Sequence, residues 1–402
     1  MKILIVAHKP PFPPIDGGTL ATLNMCLGLA KAGNEVSVLT LSTPKHPSSL
    51  ERIPPEIHSM INFEILHINL KTNILGGLFS IIFTRKPYNI RRYLSPTFKR
   101  LLQRTVKEKK FDVIQLEGLY LLLYANTIRK VFDGLIVMRA HNVEHHVWEN
   151  LARDEESKFK VWYFRHIAKR LAILEKKLYK KVDALVAISN PDKDWFLGNN
   201  FNKPAITIPA GYFPNYKEYD VEKSANPAIC YIGALDWMPN TEGLFWFIDW
   251  VWPRIQAEIP NIELHIAGRN ASEELAERLM MERNIVFHGQ VADSAEFLSK
   301  CPIMIVPLLS GSGIRVKIIE GMFLSKAIIT TNIAAKGIEA THGEHLLIAD
   351  SPEVFAISVC NLLSSPETVS RISQNAHIFA SNNYDATNLG IKLTQFYQDL
   401  RK

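Results

Sequence analysis

Short apolar runs alternating with helical periodicity organise the chain. Lys2–Ala7 is β-branched-rich and reads as a buried parallel strand. A proline-rich loop, residues 8–18, closes on Asp16-Gly17-Gly18. Leu20, Leu23, Leu27 and Ala30 then recur at helical spacing up to Gly33, and residues 35–41 form a second strand. Strand, glycine loop, helix, strand is a βαβ unit, although the dinucleotide fingerprint G-x-G-x-x-G is absent. Residues 111–116 and 135–138 read as further strands of this half. The same grammar returns with strands at 228–233, 262–267, 285–288, 303–307 and 327–331 and a helix through Leu244, Phe247, Ile248 and Val251. The pattern predicts an α/β protein of two Rossmann-like doubly wound domains facing each other, residues 1–208 and 228–383. The least patterned stretch, 209–227, is the linker, and a last helix lies within 384–402.

A length of 402 residues fits two domains, and 47% hydrophobic with 21% charged residues is a globular composition. Cys26, Cys230, Cys301 and Cys360 lie far apart in apolar contexts, which predicts buried, reduced thiols and a cytoplasmic location. The apolar start is too short for a signal segment, and no run approaches the ~20 residues of a membrane span. Net charge is only +6, but residues 85–110 hold ten cations against the single Glu108, a local +9. Beside this span lies the apolar segment 74–83. The pair suits an anionic membrane surface or acceptor, peripheral on the inner face of the plasma membrane, and equally a solvated face beside a core helix. A second basic stretch, 158–181, keeps an apolar stripe of Trp162, Ile167, Leu171, Leu174 and Leu178 and reads as a packed surface helix.

Candidate chemistry gathers after strand 303–307, where Ser310-Gly311-Ser312-Gly313 leads into a helical pattern carrying Arg315, Lys317 and Glu320. Glycines let backbone N–H groups approach an anion, and a helix start favours negative charge. Gly313, Lys317 and Glu320, at i, i+4 and i+7, share one face of a helix. The spacing fits a nucleoside diphosphate with its phosphates at the helix start and its ribose hydroxyls on Glu320; an ordinary strand-loop-helix corner with a solvated charged face is the alternative. In the first half, two strands end in polar groups, Glu117-Gly118 and Arg139-Ala140-His141-Asn142-Val143-Glu144. Carboxyl ends of strands line the ligand crevice of open α/β sheets, so His141, Glu117, Asn142 and Glu144 are candidate site residues. His141, His145 and His146 lack the company expected of a metal site. Asp192-Lys193-Asp194 reads as an acidic first helical turn. No hydrolase elbow, Walker loop or nucleic-acid motif is present.

In this order the segments resemble the family 4 retaining glycosyltransferases of group 1 type, with the two-domain GT-B architecture. The marks are Asp16-Gly17-Gly18, residues 137–144, residues 182–189, residues 264–269 and Gly311 to Met322. The resemblance implies a C-terminal domain that binds a UDP- or GDP-sugar and an N-terminal domain that binds a hydroxyl acceptor, a lipid-linked glycan or polysaccharide precursor. It also implies a last helix, 386–400, crossing back to the N-terminal domain, and retention of configuration with no metal or other cofactor required. By position, Glu320 resembles the ribose-binding glutamate. Gly311, Ser312, Gly313 and Ile314 resemble the loop under the diphosphate and donor sugar, and His141 the histidine near that sugar. Gly17 and Gly18 match the loop that approaches the phosphates, and Val291, with Gly289 and Gln290, the place where backbone meets the base. Two positions depart from the pattern. Ser312 stands where the family often has a glutamate, and Asp236 to Asn240 lacks the usual cation pair. Arg315 and Lys317 are therefore expected to neutralise the leaving diphosphate, with Arg269 in reserve. A sugar-nucleotide epimerase of the same architecture and a catalytically inactive sugar-nucleotide-binding protein are the alternatives.

Overall fold

The structure, a computed structural model, describes residues 1–69, 90, 93–153, 155–213, 227–311 and 313–402. The apolar segment 74–83, Arg85, Lys86, Arg91, Arg92, Ser312 and residues 214–226 of the expected linker lie outside them. The chain divides into two compact units: Met1–Phe213 together with Ala386–Lys402, and Pro214–Asp385.

Among the described residues, seven parallel strands form the sheet of the first unit in the order β3-β2-β1-β4-β5-β6-β7. They are β1 (Lys2–Ala7), β2 (Glu35–Ser42), β3 (Ile61–His67), β4 (Val113–Glu117), β5 (Leu135–Ala140), β6 (Ala184–Ala187) and β7 (Ala205–Thr207). Helices on both faces explain the continuous apolar runs, since Ile3, Leu4, Ile5 and Val6 are all fully buried. Edge strand β3 buries only Ile61 fully, so its mixed pattern gives no apolar run to read. The second sheet runs β10-β9-β8-β11-β12-β13 among the described residues. Its strands are β8 (Ala228–Ile232), β9 (Glu263–Ala267), β10 (Ile285–Gly289), β11 (Ile303–Val306), β12 (Ala327–Thr330) and β13 (Leu347–Ile348). In each sheet the order reverses beside the first strand, β1/β4 and β8/β11, which is where a doubly wound sheet opens a crevice at its strand ends.

Six helices matter below: α1 (Gly17–Lys31), α2 (Pro96–Glu108), α3 (Glu144–Arg153), α4 (Lys158–Leu178), α5 (Val316–Phe323) and α6 (Ala386–Asp399). Gly17 and Gly18 open α1 instead of closing a loop, because Asp16 and Thr19 form a reciprocal capping box at 2.8 and 2.9 Å that starts the helix early. On α2, Phe98, Leu102 and Val106 are buried while Lys99, Arg100, Arg104 and Lys107 are exposed, so the helix packs by one face and presents its cations outward. The stripe expected on α4 needs correction. Ile167 and Leu171 face the core, but Trp162 is 51% exposed and shares an outward face with Phe159 and Ile173. Cys26, Cys230 and Cys301 are buried free thiols as expected, whereas Cys360 is only partly buried.

Helix α6 completes the first unit. It lies against α1 so closely that a Cβ on Gly28 would stand 2.0 Å from the Ala386 carbonyl oxygen, and one on Gly390 would stand 2.3 Å from the Gly28 carbonyl. Only glycine fits at this crossing. Leu389, Leu393 and Tyr397 of α6 are thereby buried with Ile3, Ile5 and Leu23.

Candidate functional site

In the second unit the candidate residues gather at the carboxyl ends of the strands. Gly311 and Gly313 have φ of +107° and +83°, conformations that keep the chain out of a helix, and Arg315 is the cap of α5. Gly313 therefore does not share a helical face with Lys317 and Glu320, as the spacing predicts; α5 begins only at Val316 and carries the latter two alone. Arg315, buried, donates from Nη1 to the Gly313 carbonyl at 2.8 Å and stacks over Trp237, 5.5 Å from the ring centroid. The guanidinium thus braces the loop from inside.

Lys317 reaches under the loop after β8, where Nζ donates to the Ile232 carbonyl at 3.1 Å and to Asn240 Oδ1 at 2.9 Å and lies 4.8 Å from the Tyr231 ring. A cation from α5 thus lies against the 236–240 loop, which has none of its own. Burial, with Arg315 close by, lowers its ammonium to about 7. Glu320 is 8% exposed, and among the described residues its hydrogen bond comes from Ser294 Oγ at 2.6 Å. Burial raises its pKa, with Asp293 adding to the rise. Val291 lies three residues before Ser294, just past Gly289 (φ +64°) at the end of β10. Ile314 is partly buried, and Arg269 contributes its backbone carbonyl to Leu235 N–H at 2.9 Å.

In the first unit Glu117 ends β4, and register pairs it with Arg139 on β5. Glu117 is 2% exposed and Arg139 fully buried. Its Oε2 accepts from His141 Nε2 at 2.6 Å, Arg139 Nη1 at 3.1 Å and Thr22 Oγ1 at 3.2 Å, and its Oε1 accepts from Gln115 Nε2. Burial alone would raise its pKa; Arg139 and His141 outweigh that and hold it at about 2. The Thr22 hydroxyl also stands 3.0 Å from the Gly18 carbonyl, which ties the start of α1 to this carboxylate.

Glu144 stands apart from this group: Tyr120 donates to it at 3.1 Å, and burial together with Glu175 raises it to about 7. Buried Glu175 of α4 accepts from the Glu144 N–H at 2.9 Å and from His145 Nδ1, which pins the start of α3 and so the turn holding His141 and Asn142. His8, after β1, packs on Tyr93 and Tyr120 with centroids 5.3 and 4.8 Å away, and burial lowers it to about 3. Among the described residues, ligand atoms of His145, His146 and Glu149 lie within 4.8 Å of one another. His141 is not part of that group. Asp192 lies in the first turn of the helix Asn190–Gly198, its N–H donating to the capping Ser189 Oγ at 3.2 Å.

Comparison with known proteins decides the family. The model described as Glycosyltransferase Family 4 matches residues 15–214, and that described as Glycosyl transferases group 1 matches residues 226–365. The chain is a group 1, family 4 glycosyltransferase. This glycosyltransferase is 24% identical over 401 residues to an uncharacterised 44.6 kDa protein in the cps region of Klebsiella pneumoniae, covering 96% of this chain and 97% of the relative. It is 20% identical to the phosphatidyl-myo-inositol mannosyltransferase of Mycolicibacterium smegmatis, covering 96% and 90%. Among solved structures it is similar to sucrose-phosphate synthase from Thermosynechococcus elongatus, with a TM-score of 0.70 at 16% identity over 100% and 99% of the two chains. HepE from Anabaena, in complex with UDP, gives 0.69 at 14% over 99% and 100%. The fold of the glycosyltransferase is accordingly GT-B.

Sequence reasoning about the glycosyltransferase misses Gln115, Thr22, Ser294 and Tyr397. A polar side chain inside the buried run Val113-Ile114-Gln115-Leu116 was the available signal for the first. Tyr397 gave none, being 282 residues from its partner.

Proposed function

We propose that this glycosyltransferase moves a sugar from a nucleoside diphosphate sugar to a hydroxyl acceptor with retention of configuration. The second unit binds the nucleotide; the first supplies the histidine that addresses the sugar and the groups that meet the acceptor. The observation that carries this reading is Glu320, a nearly buried carboxylate with only Ser294 Oγ on it among the described residues. Such a group has acceptor capacity left for two ribose hydroxyls. The UDP held by HepE and the activity in the mannosyltransferase's name support the substrate class.

In the reaction the acceptor oxygen attacks the anomeric carbon from the face that the diphosphate leaves, the bond from that carbon to the phosphate oxygen breaks, and the acceptor proton passes to the departing phosphate. Lys317 and Arg315 offset the charge that develops there, beside the loop of Gly311, Ser312, Gly313 and Ile314. Gly17 and Gly18 approach the phosphates, Val291 meets the base, and Arg269 is the reserve cation. His141 orients the sugar, and Glu117, Asn142 and Glu144 form the acceptor side. The epimerase alternative would need acid–base groups beside the sugar ring, from Glu117, His141 and Glu144; of these, Glu117 is opposed by the donors that hold it ionised. No metal is needed in this scheme. Calorimetric titration with UDP, GDP and their sugars, followed by transfer assays on lipid-linked and polysaccharide acceptors, tests the reading. Binding of none of them would sink it.

The same titration carries a prediction about protons. A diphosphate beside Lys317 raises its pKa from about 7. Binding at pH 8 therefore takes up close to one proton, seen as a buffer-dependent heat, and affinity falls as pH climbs from 7 to 9. Lys317→Met abolishes the uptake.

A lipid-linked acceptor would place the protein at an anionic membrane. The described cations of α2 support this, and so does the outward face of α4, where Phe159, Trp162 and Ile173 are 65%, 51% and 51% exposed beside Lys158, Lys169 and Lys176. Among the described residues no helix is long and apolar enough to cross a membrane. Sedimentation with phosphatidylglycerol vesicles, but not with phosphatidylcholine ones, is the expected result, lost in Phe159→Ser/Trp162→Ser. Equal sedimentation of that variant removes α4 from the interface.

A further inference from the structure

Three buried side chains form a continuous hydrogen-bonded line from α6 to His141. Tyr397 of α6 bonds Gln115 Oε1, Gln115 Nε2 bonds Glu117 Oε1, and Glu117 Oε2 bonds His141 Nε2. Tyr397 and Gln115 are both fully buried; only His141 is partly open, its side chain 20% exposed.

The direction of each bond is fixed by chemistry. Ionised Glu117 can only accept, so Gln115 must turn its NH₂ towards it and its carbonyl oxygen away. That oxygen can only accept, so the Tyr397 hydroxyl donates. The imidazole must likewise donate from Nε2 to the carboxylate. In its neutral form His141 therefore carries its proton on Nε2, and Nδ1 is the acceptor, without a partner among the described residues. If the Tyr397 hydroxyl is lost, the Gln115 carbonyl oxygen is left buried without its donor, and only the Glu117 carboxylate still holds the amide in this sense. The side chain is then fixed at one end only, so Gln115 can swing to find its oxygen a new donor, and Glu117, losing its Oε1 partner, is free to shift towards Arg139, 3.1 Å away.

We infer that Tyr397 and Gln115 are positioning residues of the transfer reaction, acting through Glu117 to hold His141 in the Nε2–H form with Nδ1 presented to substrate. The inference rests on the reading of His141 given under the proposed function. It gives the C-terminal helix a part in the chemistry besides packing. The anchoring of α6 at Gly28 and Gly390 fixes where the Tyr397 hydroxyl lies.

Full-length Tyr397→Phe and Gln115→Met test it, with His141→Ala as reference. Nitrogen-15 spectra of the histidine-labelled protein, with the His141 ring assigned by its loss in His141→Ala, are expected to show the Nε2–H tautomer in the parent and a mixture of tautomers in both variants. Turnover is followed as nucleotide release from the sugar nucleotide that calorimetry selects. Tyr397→Phe is expected to lower kcat about tenfold with the donor KM within about twofold, in keeping with the sensitivity of turnover to small misplacements. In a His141→Ala background it should cost nothing further. An Nδ1–H tautomer in the parent, or an unshifted His141 ring in both variants, overturns the inference. So does normal turnover of Tyr397→Phe when His141→Ala is impaired. Full turnover of His141→Ala removes the reading of His141 itself, a separate outcome. Thermal unfolding of Tyr397→Phe, which keeps its ring, separates lost positioning from lost fold.

Discussion

Glu117→Ala is expected to destabilise the first unit by about 3–5 kcal/mol, the cost of leaving a buried guanidinium without its counter-charge. Arg139 has no route to water, being fully buried, and its Nε and Nη2 already lack partners among the described residues. The carboxylate is what makes its burial tolerable. Urea denaturation measures the loss, and an unchanged midpoint would show that the pair has been misjudged. Glu117→Gln separates charge from shape. Because the folded protein holds this carboxyl at about 2 against an ordinary 4.5, its contribution is present in full above pH 4.5 and is lost as pH falls towards 2. Over that window the parent should lose about 3 kcal/mol more than Glu117→Gln does. A parallel acid response in the two proteins would contradict the assignment.

Glu320→Ala is expected to weaken nucleoside diphosphate binding by roughly 10²–10⁴-fold, since two hydrogen bonds from hydroxyls to a carboxylate contribute ~1.5–3 kcal/mol each. The ligand can be varied as well as the protein. A 2′-deoxynucleotide lacks one of the two hydroxyls, so the parent should bind it less tightly than the ribonucleotide, whereas Glu320→Ala should hardly distinguish the two. Calorimetry reads both. Should the variant discriminate between them as strongly as the parent, the ribose rests on another residue. Ser294→Ala serves as control: it removes the hydroxyl that Ser294 places on Glu320 and leaves the carboxylate in place.

The fold was legible wherever burial on both faces of a sheet forces an unbroken apolar run, as in β1, β11 and β12. It was illegible at edge strand β3, where partial exposure permits Asn62 and Glu64 among apolar residues. Of the candidate site, Lys317 and Glu320 were readable because a helix converts spacing into shared direction. Gly313 was misplaced because the same backbone freedom that suits it to a loop delays the helix to Val316. The pairing of Glu117 with Arg139 was within reach, as both are charges at the ends of apolar strands. The link to Tyr397 was not. Nothing local in α6 marks a hydroxyl that closes against β4, because that contact exists only once the glycine crossing is made.

The glycine crossing of α1 and α6 also sets an order of events on the ribosome. The first unit starts ahead of the second along the chain, yet its core includes Leu389, Leu393 and Tyr397 from α6. All of Pro214–Asp385 must be synthesised before that helix exists. At about 5–20 residues per second the interval is on the order of ten seconds or longer, during which the apolar side of α1 waits uncovered. The domain started first is thus the one finished last. A stop codon at Ala386 would leave the second unit whole and the first one open.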